Sequence, residues 1–262
     1  MKASMGLVTF LYLIILPNIL RVTSIQVVGA NQAWSVGVEE QFYLIWPVLV
    51  KWFHKKMPQF LILFIIIKLV IQGLAGFGET AFTGQLGKIL GQIATLLSHM
   101  QIEQMAVGGL GAYVLFAQQD KILSFIYHPV VHGISWLLFV SLYFINYHFF
   151  GATLFEGAIF LSIILNVSTN PSFSLNLENP FYTWMGNISY GIYMIHTLVI
   201  ALLITGLEYL NVNNLTLNLS LYIGAPLLTF ALSSLSYKYF ESYFLTFKDK
   251  FSVVPSGSNH KI

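Results

Sequence analysis

The sequence predicts an all-α fold, a polytopic transmembrane helix bundle of about eight spans with both termini cytoplasmic. Three observations carry this. Charge is sparse: 12 Lys and Arg together with 10 Asp and Glu make up only 8% of the 262 residues, against roughly 25% in an ordinary soluble domain. Hydrophobic residues reach 56%, and aromatics 16%. The apolar residues also fall into runs long enough to cross hydrocarbon, about 20 residues each or somewhat fewer where the bilayer thins. A soluble globule needs far more charge to cover its surface. That excludes a soluble enzyme, a disordered chain and a nucleic-acid binder working through a basic face. The net charge of +2 is too small to steer an acidic partner.

The elements follow in chain order. The run 5–20 comes after a single lysine, Lys2, and Thr23-Ser24-Ile25 behind it is a poor cleavage site, so it reads as an uncleaved first span. Spans at 38–53 and 60–76 flank Lys55 and Lys56. The stretch 77–98, with Gly84, Gly87, Gly91, Lys88 and Gln92, is too polar and glycine-rich to span, and is expected at the interface or folded into a cavity. Spans at 99–117, 130–148, 153–168, 184–207 and 219–244 complete the set, the first and sixth of the eight being short. Backbone at membrane depth must satisfy its own hydrogen bonds, which makes these segments helices. Residues 1–247 thus form one membrane domain. The polar residues from Lys248 onward, through Pro255 to Asn259, form a frayed cytoplasmic tail, 248–262.

Orientation follows the loop lysines and arginines. With the termini inside, Lys2, Lys51, Lys55, Lys56, Lys121, Lys238, Lys248, Lys250 and Lys261 face the cytoplasm, and only Arg21 and Lys88 face outward, while Lys68 falls inside a span. The chain has no cysteine, so disulfides, thiolate metal sites and cysteine nucleophiles are excluded. No repeat of fixed period is visible.

Ionisable groups at membrane depth cost a few kcal/mol on insertion scales and usually face a cavity or a partner. Four places stand out. In the segment from Trp34 to Pro47, Glu39 and Glu40 open a helix, and Ser35 fits an N-cap. Adjacent residues point about 100° apart, so one of the two acids is expected to face the interior, where a carboxylate orients a base or holds a hydroxyl. In the segment from His99 to Gly109, His99 and Glu103 stand at i,i+4, compatible with an ion pair, or simply with a polar helix start at the interface. The ligand pattern there is too thin for a metal, and no metal site is expected. In the segment from Met185 to His196, Ser189, Tyr193 and His196 share one helical face, either a polar groove or an interhelical hydrogen-bond set. Finally, in Ser236-Tyr237-Lys238-Tyr239-Phe240-Glu241, the lysine is placed to snorkel and Glu241 to act as a structural acid. Lys68, alone in an apolar run, either snorkels or pairs with a neighbouring helix.

Read together, these segments resemble the acyltransferase 3 family of integral membrane O-acyltransferases. Trp34-Ser35-Val36-Gly37-Val38-Glu39-Glu40-Gln41-Phe42-Tyr43-Leu44 is similar to its most distinctive stretch, and Gln104 to Ala112, Ile188 to His196, and Ser236 to Glu241 follow in the family's order. The resemblance implies transfer of an acyl group, usually acetyl, from acyl-CoA on the cytoplasmic side to a hydroxyl of a surface carbohydrate or lipid-linked glycan. Acyl-CoA is then a donor substrate rather than a resident cofactor, and the setting is a bacterial cytoplasmic membrane. It implies catalytic roles for Glu39, Glu40 and, as a replacement base, His196. It also implies substrate contacts from Trp34, Ser35, Gln41, Tyr43, Ser189, Tyr190 and Tyr193. The family's opening Gly-Leu-Arg segment and its first-span histidine are not found, so the chain is expected to correspond to the C-terminal part of a full-length enzyme. The competing expectation is a transporter or flippase-like protein for an envelope precursor, since glycine-broken helices with embedded acids suit transport.

Overall fold

The computed structural model describes residues 5–22, 25, 27–145, 147, 149–173, 177 and 179–251. They are helical throughout, with no strand among the described residues. They divide into two compact units, one of Met1–Ile25 with Trp34–Leu175 and one of Gln26–Ala33 with Asn176–Ile262.

The first unit opens with α1 (Met5–Leu13) and the short α2 (Asn18–Val22). These occupy the expected first span, but as two pieces. Ile15 sits between them at φ 62°, a conformation that a β-branched residue rarely adopts. Next come α3 (Ala33–Phe53) and α4 (Met57–Ala81), joined through a tight helical turn, His54–Lys56. Pro58 stands in the first turn of α4, where its missing N–H costs nothing. The backbone leaves helical dihedrals at Phe53 (φ −111°) and Lys56 (φ −128°), and Phe53 stacks on Phe60 at 4.1 Å, so the two helices bend toward each other at this turn. By length and composition the spans expected at 38–53 and 60–76 fall within one helical run, Ala33–Ala81, bent there.

The stretch expected at an interface or in a cavity is helical as well. It forms the end of α4 and then α5 (Gln85–Met100), which turn about each other at Gly84, φ 76°. Close approach explains the glycines here: a Cβ on Gly87 would lie 2.1 Å from the Phe82 carbonyl oxygen, and one on Gly91 2.5 Å from the Glu79 carboxylate. Then α6 (Ile102–Phe116), α7 (Asp120–Ile126), α8 (Pro129–Phe144) and α9 (Ala152–Thr169) complete the unit. Its core is Met57, Leu61 and Ile65 of α4 against Ala106 and Val107 of α6.

The second unit is the segment up to Ala33 with α10 (Pro180–Tyr209), α11 (Asn214–Leu219), α12 (Ala225–Ser236) and α13 (Ser242–Phe251). Asn179 caps α10 by accepting from the Phe181 and Tyr182 amides. Two single π-turns, Ser220–Gly224 and Tyr237–Glu241, interrupt the last helical run. Such turns are rare and often sit at functional sites.

Four helical runs among the described residues are long and apolar enough to cross a membrane, or five if the bent pair Asp120–Ile126 and Pro129–Phe144 is one span. This is fewer than the eight expected. The run 5–20 is broken at Ile15, 38–53 and 60–76 fall within one bent run by length and composition, and 99–117 yields a helix of 15 residues because it starts only after Gln101. The last helix, α13, continues through Phe251, and 252–262, within the expected tail, lie outside the described residues.

Candidate active site

In the first unit, α3 carries the acidic motif. Glu39 and Glu40 are both exposed, as are Tyr43 and Leu44, whereas Gly37 and Val38 are buried. The expectation that one of the two acids faces the interior does not hold. The buried stripe of α3 is apolar, and both carboxylates lie outside it. Gln41 points back along the chain: its amide nitrogen donates to the Ile15 carbonyl (2.6 Å) and to Asn18 Oδ1 (3.0 Å). It clasps the left-handed break of the N-terminal segment, and Pro17 packs on Gly37 close enough that a Cβ there would meet it at 2.6 Å. Trp34 is half-buried and meets His99 edge-on, ring centroids 6.2 Å apart.

Behind the motif lies an apolar hollow of about 190 Å3, lined from α3 by Val38, Gln41, Phe42 and Trp46, from α4 by Leu61 and Phe64, and by Met100 and Ala106. Phe42 stacks on Trp46 at 4.9 Å. The motif thus builds a wall of a cavity with its aromatic residues and presents its acids elsewhere.

The buried ionisable residues of this unit are ones the motif does not contain. Lys68 Nζ donates to Glu103 Oε1 (2.7 Å) and to Gln72 Oε1 (2.6 Å), with the two charged side chains 6% and 0% exposed. Thr153 Oγ donates to the same Glu103 oxygen, while Oε2 has no hydrogen-bond partner among the described residues. The helices α4 and α6 run antiparallel here, since Lys68 meets Glu103 while Leu61 lies against Gly109. The helix α5 is likewise antiparallel to α4, Gly78 lying against Leu90 and Phe82 against Gly87. Between α5 and α6 the chain breaks at Gln101, φ 47°. The break removes the expected i,i+4 relation of His99 and Glu103. His99 Nδ1–H donates instead to the Thr95 carbonyl at 2.8 Å, and Glu103 turns to Lys68. Sequence separation hid this pair; the signal available was Lys68 alone in an apolar run, which had to pair or snorkel.

In the second unit, Ser189, Tyr193 and His196 of α10 line one hollow of about 500 Å3 together with Ile192, Ala225, Thr229 and Phe230. His196 Nδ1 lies 2.7 Å from the Tyr193 carbonyl and 3.1 Å from that of Ile192. A carbonyl only accepts, so Nδ1 carries a proton, and Nε2 is the nitrogen that these carbonyls leave unengaged. The Tyr193 hydroxyl donates to the Gln32 carbonyl (3.2 Å), the Gln32 amide donates to the Met194 carbonyl (2.6 Å), and Thr197 Oγ donates to the Gly29 carbonyl (3.0 Å) and to Gln32 Oε1. The buried Gln32 thereby fastens its loop to α10. Tyr190 is exposed and borders a second hollow of about 500 Å3 with Asn187, Tyr237 and Glu241. Glu241 accepts from Ser236 Oγ at 2.8 Å, in keeping with a structural acid, and Lys238 lies 5.2 Å from the centre of the Tyr239 ring.

The expected site residues therefore fall on both units: Trp34, Ser35, Glu39, Glu40, Gln41 and Tyr43 in the first, and Ser189, Tyr190, Tyr193 and His196 in the second. Among the described residues no group of three His, Asp or Glu is placed to hold a metal ion.

Long apolar helices, buried ionisable residues paired at helix breaks and hollows walled by the motif residues define an integral membrane protein of the helical class. A protein-family model described as an acyltransferase domain matches residues 3–238, and the chain belongs to that family, acyltransferase 3. No curated protein and no solved structure gives a significant match.

Proposed function

We propose that the chain is a membrane-bound O-acyltransferase that moves an acyl group, acetyl in the simplest case, from acyl-CoA to a hydroxyl of a cell-surface carbohydrate or lipid-linked glycan, at a bacterial cytoplasmic membrane with both termini inside. Membership of the acyltransferase family over residues 3–238 is the observation that carries it. The chemistry is a direct transfer. A base takes the acceptor's hydroxyl proton, the oxygen attacks the thioester carbonyl, the C–S bond breaks, and the thiolate leaves with a proton as free CoA. The absence of cysteine removes an acyl-thioester intermediate on the protein.

In this reading His196 accepts and returns the proton through Nε2, and proton transfer of this kind contributes typically about 100- to 10,000-fold. Ser189 contacts the acceptor beside it. Glu39 and Glu40, exposed on α3, hold a substrate hydroxyl, with Ser35, Tyr43 and Tyr190 contacting substrate. Trp34, Gln41 and Tyr193 act by shaping walls, since each side chain is engaged with the protein itself.

The test is release of CoA from acetyl-CoA by the purified protein in detergent, with glycans as acceptors and a thiol reagent as detector. The protein has no thiol of its own to give a background. Acceptor-dependent CoA release that disappears in His196→Gln is the expected result. Release unaffected in His196→Gln, Glu39→Gln and Glu40→Gln removes these residues from the mechanism.

One observation favours a second reading, a carrier of an envelope precursor: the α5–α6 break opposite the buried Lys68–Glu103 pair is the kind of discontinuous helix that transporters place at a binding site. Precursor uptake into vesicles without CoA release would select it.

A further inference from the structure

Beside the loop that joins α8 to α9 lies a hollow of about 210 Å3 lined by Phe139, Leu142, Tyr143, Tyr147, Glu156 and Phe160. Its walls are arranged as a box. The ring of Tyr143 stands at 85° to that of Phe139, centroids 5.4 Å apart, and the ring of Phe160 at 73° to Phe139, also 5.4 Å. Two aromatic planes thus rise nearly perpendicular from a third, and Tyr147 adds a fourth ring. Into the same hollow comes one carboxylate, Glu156, held in place by neutral donors: the Tyr147 hydroxyl on Oε1 and the Gln104 amide on Oε2 at 3.3 Å. No Lys, Arg or His among the described residues forms a salt bridge with it.

A fixed carboxylate without a counter-charge, set among aromatic faces at the end of two apolar helices, calls for a cation. The ring faces are negative and attract cations within about 6 Å, most strongly once these have shed water. A small metal ion holds its water too tightly and wants more oxygens than the box supplies. A primary ammonium must place three directed N–H donors, and both Glu156 oxygens are already engaged by Tyr147 and Gln104. A cation with no N–H group leaves nothing unpaired.

We propose that Phe139, Tyr143, Tyr147, Phe160 and Glu156 form a binding site for a quaternary ammonium group. The site accepts such a group whether it arrives on a lipid headgroup or as a free small molecule. Its place beside the interhelical loop, next to the exposed Phe144, Phe149 and Phe150, lets a headgroup enter while its chains stay in the hydrocarbon. The Tyr147 phenol, pushed up to about 12 by its hydrogen bond to Glu156, stays a donor throughout and keeps the carboxylate turned into the box.

The experiment titrates tetramethylammonium chloride into the purified full-length protein in maltoside detergent, followed by saturation-transfer NMR, with potassium chloride at matched ionic strength as the competitor. Saturable binding that potassium does not displace is expected. Glu156→Gln, which keeps shape and hydrogen bonding, is expected to weaken it at least tenfold, and Phe139→Leu, which keeps apolar volume but removes the ring, severalfold. Far-UV circular dichroism identifies a variant that fails to fold, and the other variant then decides. Choline-headgroup lipid competing in nanodiscs where phosphatidylglycerol does not assigns the site to lipid. Competition by free choline alone assigns it to a soluble ligand. Absent binding, equal displacement by potassium, or wild-type affinity in the folded variants overturns the proposal. Acyl transfer is not read in any arm, so the outcome is independent of the proposed catalytic function.

Discussion

Lys68 Nζ lies 2.7 Å from Glu103 Oε1, joining α4 to α6 at the point where the α5–α6 helical course is broken, with both side chains out of contact with solvent. Two charges at this depth are tolerable because each neutralises the other, and because Glu103 stands in the first turn of α6, where the helix dipole favours an anion. Removing one partner strands the other. Lys68→Met and Glu103→Leu are each expected to destabilise the protein by about 3–5 kcal/mol, whereas the double change Lys68→Met with Glu103→Leu is expected to be close to neutral. Thermal unfolding in detergent, run as a double-mutant cycle, checks this. Additive losses in the double variant would mean that the pair does not act as a unit.

The exposed acids behave differently. Glu39 and Glu40 make no buried contact on α3, so Glu39→Gln and Glu40→Gln are expected to stay within about 0.5 kcal/mol of the parent in stability. If they hold a reacting hydroxyl, each substitution lowers acceptor-dependent CoA release by roughly 100-fold or more at unchanged protein level. Comparing unfolding midpoint with turnover in the same preparations separates the two effects.

Gln32 is the opposite case, a buried polar residue bonded to the α10 motif segment. Its amide ties a loop to α10 through the Met194 carbonyl and Thr197. Gln32→Leu leaves the Thr197 hydroxyl without one acceptor and the Met194 carbonyl without a donor, at a cost of about 1–3 kcal/mol. The loss is expected as faster proteolysis of the loop around Gly29, read by mass spectrometry of limited digests.

These contrasts bear on what the sequence made legible. The helical membrane class rests on composition and run length, which no tertiary contact alters. The stripe Ser189, Tyr193 and His196 was also readable, because residues on one helix keep their spacing, and the three do line one hollow. The span count was not, because Ile15 and Gln101 take left-handed conformations without being glycine or asparagine; Pro17 marked the first break locally, and nothing local marks the second. The same break at Gln101 explains why periodicity joined Glu103 to His99 while the fold joins it to Lys68, 35 residues away. The two glutamates misled for a related reason: helical spacing says that they diverge by about 100°, not that either points inward.

Glycines in the α4–α5 turn separate close approach from mere helix weakness. A Cβ on Gly87 would collide with the Phe82 carbonyl, a backbone atom that cannot swing aside, whereas Gly76 has nothing within 4 Å of the corresponding position. Gly87→Ala is therefore expected to cost about 1–3 kcal/mol, as overpacking does. Gly76→Ala is expected to be neutral or to stabilise by up to about 1 kcal/mol through helix propensity. Unfolding midpoints of the two variants, measured side by side, distinguish a steric glycine from an incidental one.

The Tyr147 phenol provides a pH signature. Its ordinary value of 10.0 is pushed up to about 12, first by the hydrogen bond it donates to Glu156, then by desolvation and by that carboxylate's charge. The folded state therefore holds the phenol's proton more tightly than the unfolded chain does. The stability this supplies is complete below about pH 10, and is lost as pH rises from there through 12. Ultraviolet titration of phenolate absorbance on the folded protein is expected to show Tyr147 ionising later than the bulk, beside Tyr12, which burial also raises. The Tyr147 step should vanish in Tyr147→Phe, and in Glu156→Gln the Tyr147 phenol should return toward its ordinary range. A Tyr147 step that stays late in Glu156→Gln would show that something other than the carboxylate holds the proton.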